Sequence, residues 1–113
     1  MGAVRSTEEP FRVEVAAGEF ATLIAPSGEL DAHTAAILVE HVNEVLATGC
    51  TQVVLDMAGL RFIDSSGLRV VISAHKRLAG IGGALLVRSP SDTARRLFEI
   101  TGLAAYLTFE DDR

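Results

Sequence analysis

The chain has 113 residues, and its 49% hydrophobic and 22% charged content suits one domain with a single core and excludes an intrinsically disordered chain. The formal net charge of −5 argues against nucleic-acid binding, because a protein that binds the phosphate backbone needs a strong basic surface. The lone cysteine, Cys50, leaves no internal disulfide or Cys-x-x-Cys motif, and no apolar run is long enough to span a membrane, so we expect a cytoplasmic setting.

The first predicted elements form a β-hairpin. Residues 1–10 are polar and acidic and are predicted to be a mobile leader, so that the folded domain spans residues 11–113. Apolar and polar residues alternate over residues 11–15, which is the period of a half-buried strand. Gly18 permits a tight turn, and residues 20–25 are predicted to form the second strand of the hairpin.

A helix and a buried strand follow. Asp31 is predicted to cap the N-terminus of a helix over residues 32–48, and Gly49 is predicted to end it. The apolar residues of this helix fall on one stripe, which indicates the buried face: Ala35, Leu38, Val42, Val45 and Leu46. The β-branched apolar run over residues 53–55 is typical of a strand that is buried on both faces.

The second half of the chain repeats this alternation. Asp64 is predicted to cap a second helix, and a run of glycines marks the end of this helix. The inner face consists of Leu68, Val71, Ile72, His75 and Leu78. Residues 84–87 predict another buried strand, and Ser91 or Asp92 begins a third helix that Gly102 closes. Residues 104–109 predict a last edge strand or an extended tail.

Alternating strands and helices predict an α/β fold, because strands joined through helices pair in parallel by right-handed crossovers. We therefore expect a single domain with a mixed, mostly parallel β-sheet of four to five strands, packed with three or four helices. The carboxyl ends of the strands before the first two helices then lie at the same edge of the sheet. Such edges commonly bind ligands or partners in α/β proteins. This placement brings Asp31 close to Asp64, Ser65 and Ser66.

Three blocks of sequence carry a resemblance to a known family. They are GELDAHTA at residues 28–35, FIDSSGLRVVISAHKRL at residues 62–78 and SPSDTARRLFEITGL at residues 89–103. In this order and spacing they resemble the STAS-domain anti-sigma factor antagonists, and the resemblance extends over residues 13–109. It implies a protein that binds an anti-sigma factor and so releases a sigma factor.

The resemblance also implies how binding is controlled. The second serine of the pair, Ser66 here, is expected to be phosphorylated by the partner, which is both an anti-sigma factor and an ATP-using serine kinase. Phosphorylation turns binding off, and a serine phosphatase resets the cycle. A phosphate on Ser66 is physically reasonable, because the first turn of a helix offers free backbone N–H groups and the positive end of the helix dipole.

The residues expected to contact the partner are Asp31, Asp64, Ser65, Ser66, Gly67 and Arg69. Gly67 is predicted to keep the approach to the serine open. Arg69 stands where the family often has glycine, and it follows Ser66 by three residues, close enough on a helix to pair with a phosphate.

Other interpretations of these residues remain open. Serines suit helix starts whatever their function, and Asp31 and Asp64 are equally explained as purely structural caps. A STAS accessory subunit of a membrane transport system is the alternative function, and a scaffold subunit of a stress-signalling assembly is a third. Neither a metal site, a cofactor nor an enzymatic activity is expected. His75 lies nine residues from Ser66 on one predicted helix, or about 13 Å at 1.5 Å per residue, too far for a nucleophile–base pair.

Overall fold

The computed structural model describes residues 10–110, and within that range six strands and three α-helices alternate along the chain. The elements are β1 (Arg12–Ala17), β2 (Thr22–Leu30), α1 (Ala35–Ala47), β3 (Gln52–Asp56), β4 (Gly59–Ile63), α2 (Ser65–Gly80), β5 (Ala84–Arg88), α3 (Asp92–Ile100) and β6 (Thr108–Glu110), with a short 3₁₀ helix at Leu103–Ala105 before β6. Apart from Pro10, the leader predicted at residues 1–10 lies outside the described residues.

The sheet has the strand order β1-β2-β3-β5-β6, and β4 pairs with β2. The β1–β2 hairpin is antiparallel, and all the other pairs are parallel. The α/β class and the mixed, mostly parallel sheet are thereby confirmed. Over residues 10–110 the sheet has six strands rather than the four to five predicted, because β4 was not foreseen. The final segment forms an edge strand, β6, which was one of the two predicted alternatives, an edge strand or an extended tail.

Strand β2 is longer than predicted and has two neighbours along one side. Residues 22–24 pair with β3, and residues 27–30 pair with β4, so β3 and β4 follow one another beside β2. The register between β2 and β4 shifts after Gly28, which makes Arg61 an extra residue in β4. This bulge leaves Arg61 and Phe62 both exposed, while Leu60 and Ile63 on either side of them are buried.

The core lies on one face of the sheet. Alternate strand residues such as Ile24, Leu55 and Leu85 are buried there beneath the apolar faces of α1 and α2. Helix α3 covers the same face further along, where Phe98 is fully buried and its ring packs 5.7 Å from that of Phe109 on β6. The opposite face of β3 is only half-buried, so the prediction that this strand is buried on both faces is wrong.

Candidate functional site

Strands β2 and β4 end side by side. Leu30 is paired with Ile63 at the last position of each strand, and the Asp64 N–H continues the ladder by donating to the Leu30 carbonyl oxygen at 3.2 Å. The residues that follow the two strands are Asp31 and Asp64, so the two carboxylates lie at adjacent strand ends. The predicted meeting of the two acidic segments at the carboxyl edge is confirmed, and β4 is the strand that produces it.

Asp64 is the N-cap of α2, as predicted. Its backbone is extended, and its Oδ1 accepts hydrogen bonds from the N–H groups of Ser66 at 2.8 Å and Gly67 at 3.3 Å. These bonds satisfy two of the N–H groups that the first turn of a helix leaves without a backbone partner. Asp64 thereby fixes where α2 begins and places Ser65 and Ser66 in its first turn.

Asp31 has a different role from the one predicted. Helix α1 begins at Ala35 rather than residue 32, and its N-cap position is held by Thr34, whose side chain makes no capping bond. Asp31 instead stabilises the turn before the helix, because its Oδ1 accepts from the N–H groups of His33 and Thr34, each at 3.0 Å. The Thr34 hydroxyl donates to the Glu29 carbonyl oxygen at 2.7 Å and so ties this turn to the end of β2.

These hydrogen bonds favour the ionised form of Asp31. The backbone N–H of Thr34 is the main reason that the pKa of Asp31 lies below its ordinary value of 3.8, although desolvation works in the opposite direction. The Thr34 hydroxyl, the His33 N–H and the nearby His33 side chain add smaller effects that lower the pKa. Asp31 is therefore a charged group at this edge at neutral pH.

The two serines differ in exposure. Ser65 is exposed, whereas Ser66 is half-buried. Within residues 10–110 the hydroxyl of Ser66 has no hydrogen-bonding partner, since its only bond to Asp64 uses the backbone N–H. The Ser66 hydroxyl is thus free of any structural hydrogen bond to the described part of the protein.

Gly67 has a packing role that differs from the role predicted for it. It is buried, and a Cβ built on it would lie 2.6 Å from Leu30 Cγ, 2.7 Å from Leu30 Cδ2 and 2.9 Å from Ile63 Cγ1. The missing side chain lets the first turn of α2 lie directly against the ends of β2 and β4. Gly67 therefore faces the core, and the prediction that it keeps a partner's approach open is wrong as an account of this glycine.

The outer surface of α2 is basic. Arg69, Lys76 and Arg77 are exposed, and the helix contains no acidic residue. Arg77 donates to the Asn43 side chain of α1 at 2.6 Å. A positive surface therefore runs along the helix that begins with Ser65 and Ser66, although the formal net charge of the chain is −5.

Phe62 is a further candidate that the sequence did not reveal. It lies on β4 opposite Glu29, two residues before the Asp64 cap, and 49% of it is exposed. Sequence periodicity gave no signal for this exposure, because strict alternation would bury either Arg61 or Phe62. An exposed aromatic ring beside the charged Asp64 cap is a suitable contact for a protein partner.

The chain is similar to proteins of known class. Residues 12–113 match the STAS domain family. An anti-sigma F factor antagonist from Paenibacillus polymyxa is 31% identical over 91 residues, which cover 80% of this chain and 78% of the relative.

Solved structures of anti-sigma factor antagonists are also similar to this chain. An anti-sigma factor antagonist from Mycobacterium paratuberculosis has a TM-score of 0.76 at 25% identity, over 88% of this chain and 85% of that one. The phosphorylated form of the Bacillus cell fate determinant SpoIIAA has a TM-score of 0.70 at 25% identity, over 91% of this chain and 93% of that one. In the described range, no helix combines the length and apolar content that crossing a membrane requires.

Proposed function

Because the chain belongs to the STAS-domain family of anti-sigma factor antagonists, we propose that it binds an anti-sigma factor at the carboxyl edge of its sheet and thereby releases a sigma factor. The observation that supports this most is the position of Ser66 in the first turn of α2, beside the paired ends of β2 and β4. The contact surface comprises Asp31, Asp64, Ser65, Ser66 and Arg69 together with Phe62.

Ser66 is proposed to be the phosphorylation site, and the partner is proposed to be the serine kinase that modifies it. Exposure alone would favour Ser65, which is the more accessible of the two serines. The family resemblance selects the second serine of the pair, and the unengaged hydroxyl of Ser66 makes it available without breaking a hydrogen bond in the described residues. A serine phosphatase would remove the phosphate.

A phosphate on Ser66 is proposed to block binding and to change the stability of the fold only slightly, because repulsion and attraction at this edge partly cancel. The backbone N–H groups of Ser66 and Gly67 already donate to Asp64, so they are not available to a new phosphate. A phosphoserine adds about −1.5 to −2 charges next to the carboxylates of Asp31 and Asp64. Arg69, one turn along α2, would offset part of this repulsion.

The same charge has a larger effect at an interface. A partner that covers Ser66 must desolvate the phosphate, and leaving a buried charge without a counter-ion costs several kcal/mol. Since about 1.4 kcal/mol corresponds to a tenfold change in affinity, phosphorylation should weaken the complex by about two decades or more. The basic surface of α2 favours a partner whose matching surface is acidic.

This activity is binding without catalysis. His75 is half-buried and lies nine residues along α2 from Ser66, or about 13 Å at 1.5 Å per residue, beyond hydrogen-bonding reach of a serine nucleophile. The similarity to anti-sigma factor antagonists also favours this role over a subunit of a membrane transport system.

The test is to incubate the protein with candidate anti-sigma kinases and ATP and to locate the phosphate by mass spectrometry. Wild type and Ser65→Ala should be phosphorylated on Ser66 to the same extent, and Ser66→Ala should remain unmodified. Phosphate at normal occupancy on Ser65 of the Ser66→Ala variant would contradict the assignment of the site. Failure of the cognate anti-sigma factor to bind unmodified protein would contradict the function itself.

A further inference from the structure

Strand β1 forms one edge of the sheet within residues 10–110. It pairs with β2 over six consecutive residues without a register shift, and between Arg12 and Ala17 it contains neither lysine nor proline. Its other side has no strand neighbour within residues 10–110. By contrast, β6 is three residues long and β4 contains a bulge, and short or bulged strands discourage further pairing.

The two faces of β1 differ in character. Val13 and Val15 lie opposite Pro26 and Ile24, which are buried, so these valines face the helices. Arg12 and Glu14 alternate with them and therefore point to the opposite face. Val15 is 45% exposed although it lies on the helix side, so the edge leaves apolar surface uncovered.

A groove continues this apolar surface onto α1. It lies between β1 and the side of α1 that carries His41, Glu44 and Thr48, and its floor includes Val13 and Val15. Ile37 precedes His41 by one helical turn on the same side of α1 and is 41% exposed. An added strand would therefore cover side chains as well as satisfy backbone groups.

The sequence of β1 is complementary to itself in one antiparallel register. If Val13 lies opposite the partner's Val13, then Arg12 lies opposite the partner's Glu14, and Glu14 opposite the partner's Arg12. Phe11 then lies opposite the partner's Val15 on the helix side. A shift by one residue in each chain, in either direction, instead places two glutamates or two arginines opposite each other, and like charges directly across strands are destabilising.

We propose that β1 pairs with β1 of a second copy of this chain, about a two-fold axis at Val13, to form one continuous sheet. Paired Arg12 and Glu14 side chains fix the register. On the face that the helices cover, Val13, Val15 and Phe11 of the two copies pack against each other. This is an isologous contact, in which the same patch serves both copies.

The dimer has a consequence for the candidate site. Because the two β1 strands are antiparallel, the carboxyl edges of the two half-sheets point in opposite directions. Ser66 follows the carboxyl end of β4, and β2 lies between β4 and β1, so Ser66 is not part of the strand pairing. Each protomer of the dimer therefore keeps its own copy of the candidate site.

Analytical ultracentrifugation of the full chain over a range of concentrations tests the proposal. Wild type should dimerise. Arg12→Glu and Glu14→Arg each create two like-charge pairs in the dimer and should raise its dissociation constant about tenfold or more. The double variant Arg12→Glu/Glu14→Arg restores both pairs and should return the constant to within about threefold of wild type. Arg96→Glu, which changes the net charge as Arg12→Glu does but on the exposed face of α3, should dimerise as wild type does.

Three results would overturn the proposal. They are a monomeric wild type at the highest concentration at which the protein stays soluble, a dimer that is indifferent to Arg12→Glu, and a double variant that remains as weak as the single ones. Circular dichroism should confirm that each variant is folded. Hydrogen exchange on wild type needs no substitution, and amides of β1 should become more protected as the protein concentration rises.

Discussion

Replacing Gly67 by alanine should destabilise the domain, although the same change usually stabilises a helix. The new Cβ would lie within 3 Å of three side-chain atoms of Leu30 and Ile63. Leu30 is 1% exposed and Ile63 is 8% exposed, so neither side chain can move aside without disturbing the core. Overpacking of this kind costs about 1–3 kcal/mol, and the helix propensity of alanine offsets only part of it, because its advantage of about 1 kcal/mol applies to helix interiors and Gly67 is in the first turn.

Gly80 provides a matched control at the other end of α2. A Cβ at Gly80 would meet no atom within 4 Å, so Gly80→Ala should stabilise the protein by about 0.5–1 kcal/mol. Gly67→Ala should lose about 1–2 kcal/mol, and the melting temperatures of the two variants should differ by roughly 10 °C for a domain of this size. Urea unfolding with both variants beside wild type measures this directly. If Gly67→Ala is as stable as Gly80→Ala, the close approach of α2 to the strand ends is not required for the fold.

Three further predictions concern the same edge. Asp64→Ala should lower the free energy of unfolding by about 1 kcal/mol and Asp64→Asn by less, because asparagine also accepts the capping bonds; equal losses in urea unfolding would rule out capping as the cause. The pKa of Asp31 is lower in the folded than in the unfolded state. Ionised Asp31 therefore stabilises the fold fully above the unfolded pKa, and this stabilisation is lost as the pH falls through the folded pKa. Melting temperatures measured from pH 6 down to about pH 2 should fall less steeply for Asp31→Asn than for wild type. Phe62→Ala should weaken anti-sigma factor binding about tenfold, whereas Phe20→Ala, at the hairpin on the opposite end of β2, should leave it unchanged in calorimetric titrations.

The starts of α2 and α3 and the end of α3 were predictable because their signals are local. Asp64 followed by a regular apolar stripe marks α2, and Gly102 with a φ of 82° ends α3 as a left-handed terminus should. The side chain of Ser91 accepts from the Ala94 N–H at 3.0 Å, which confirms one of the two predicted starts of α3. Each of these features depends only on residues within one turn of each other.

Strand β4 was missed because an irregularity breaks its sequence pattern. Its bulge exposes two consecutive residues, Arg61 and Phe62, so the alternation that identifies a strand is broken. The start of α1 was misplaced for a similar reason. Asp31 has the chemistry of an N-cap, but the bond from the Thr34 hydroxyl to Glu29 inserts a turn before the helix.

Some features of the candidate site were predictable from the sequence and others were not. Its position followed from parallel strands that end together, and its residues followed from the family resemblance. The packing role of Gly67 could not be predicted from the sequence, because Leu30 lies 37 residues away in the chain and its closeness to Gly67 depends on the pairing of β2 with β4.

The most direct test of the proposed switch compares two forms of the protein, unmodified and stoichiometrically phosphorylated on Ser66. For each form, the affinity for the anti-sigma factor and the melting temperature should be measured in the same buffer. Phosphorylation should weaken binding by about two decades or more while the melting temperature changes by only a few degrees. Unchanged affinity, or a loss of affinity that accompanies a large drop in melting temperature, would contradict a switch that acts through charge at the interface.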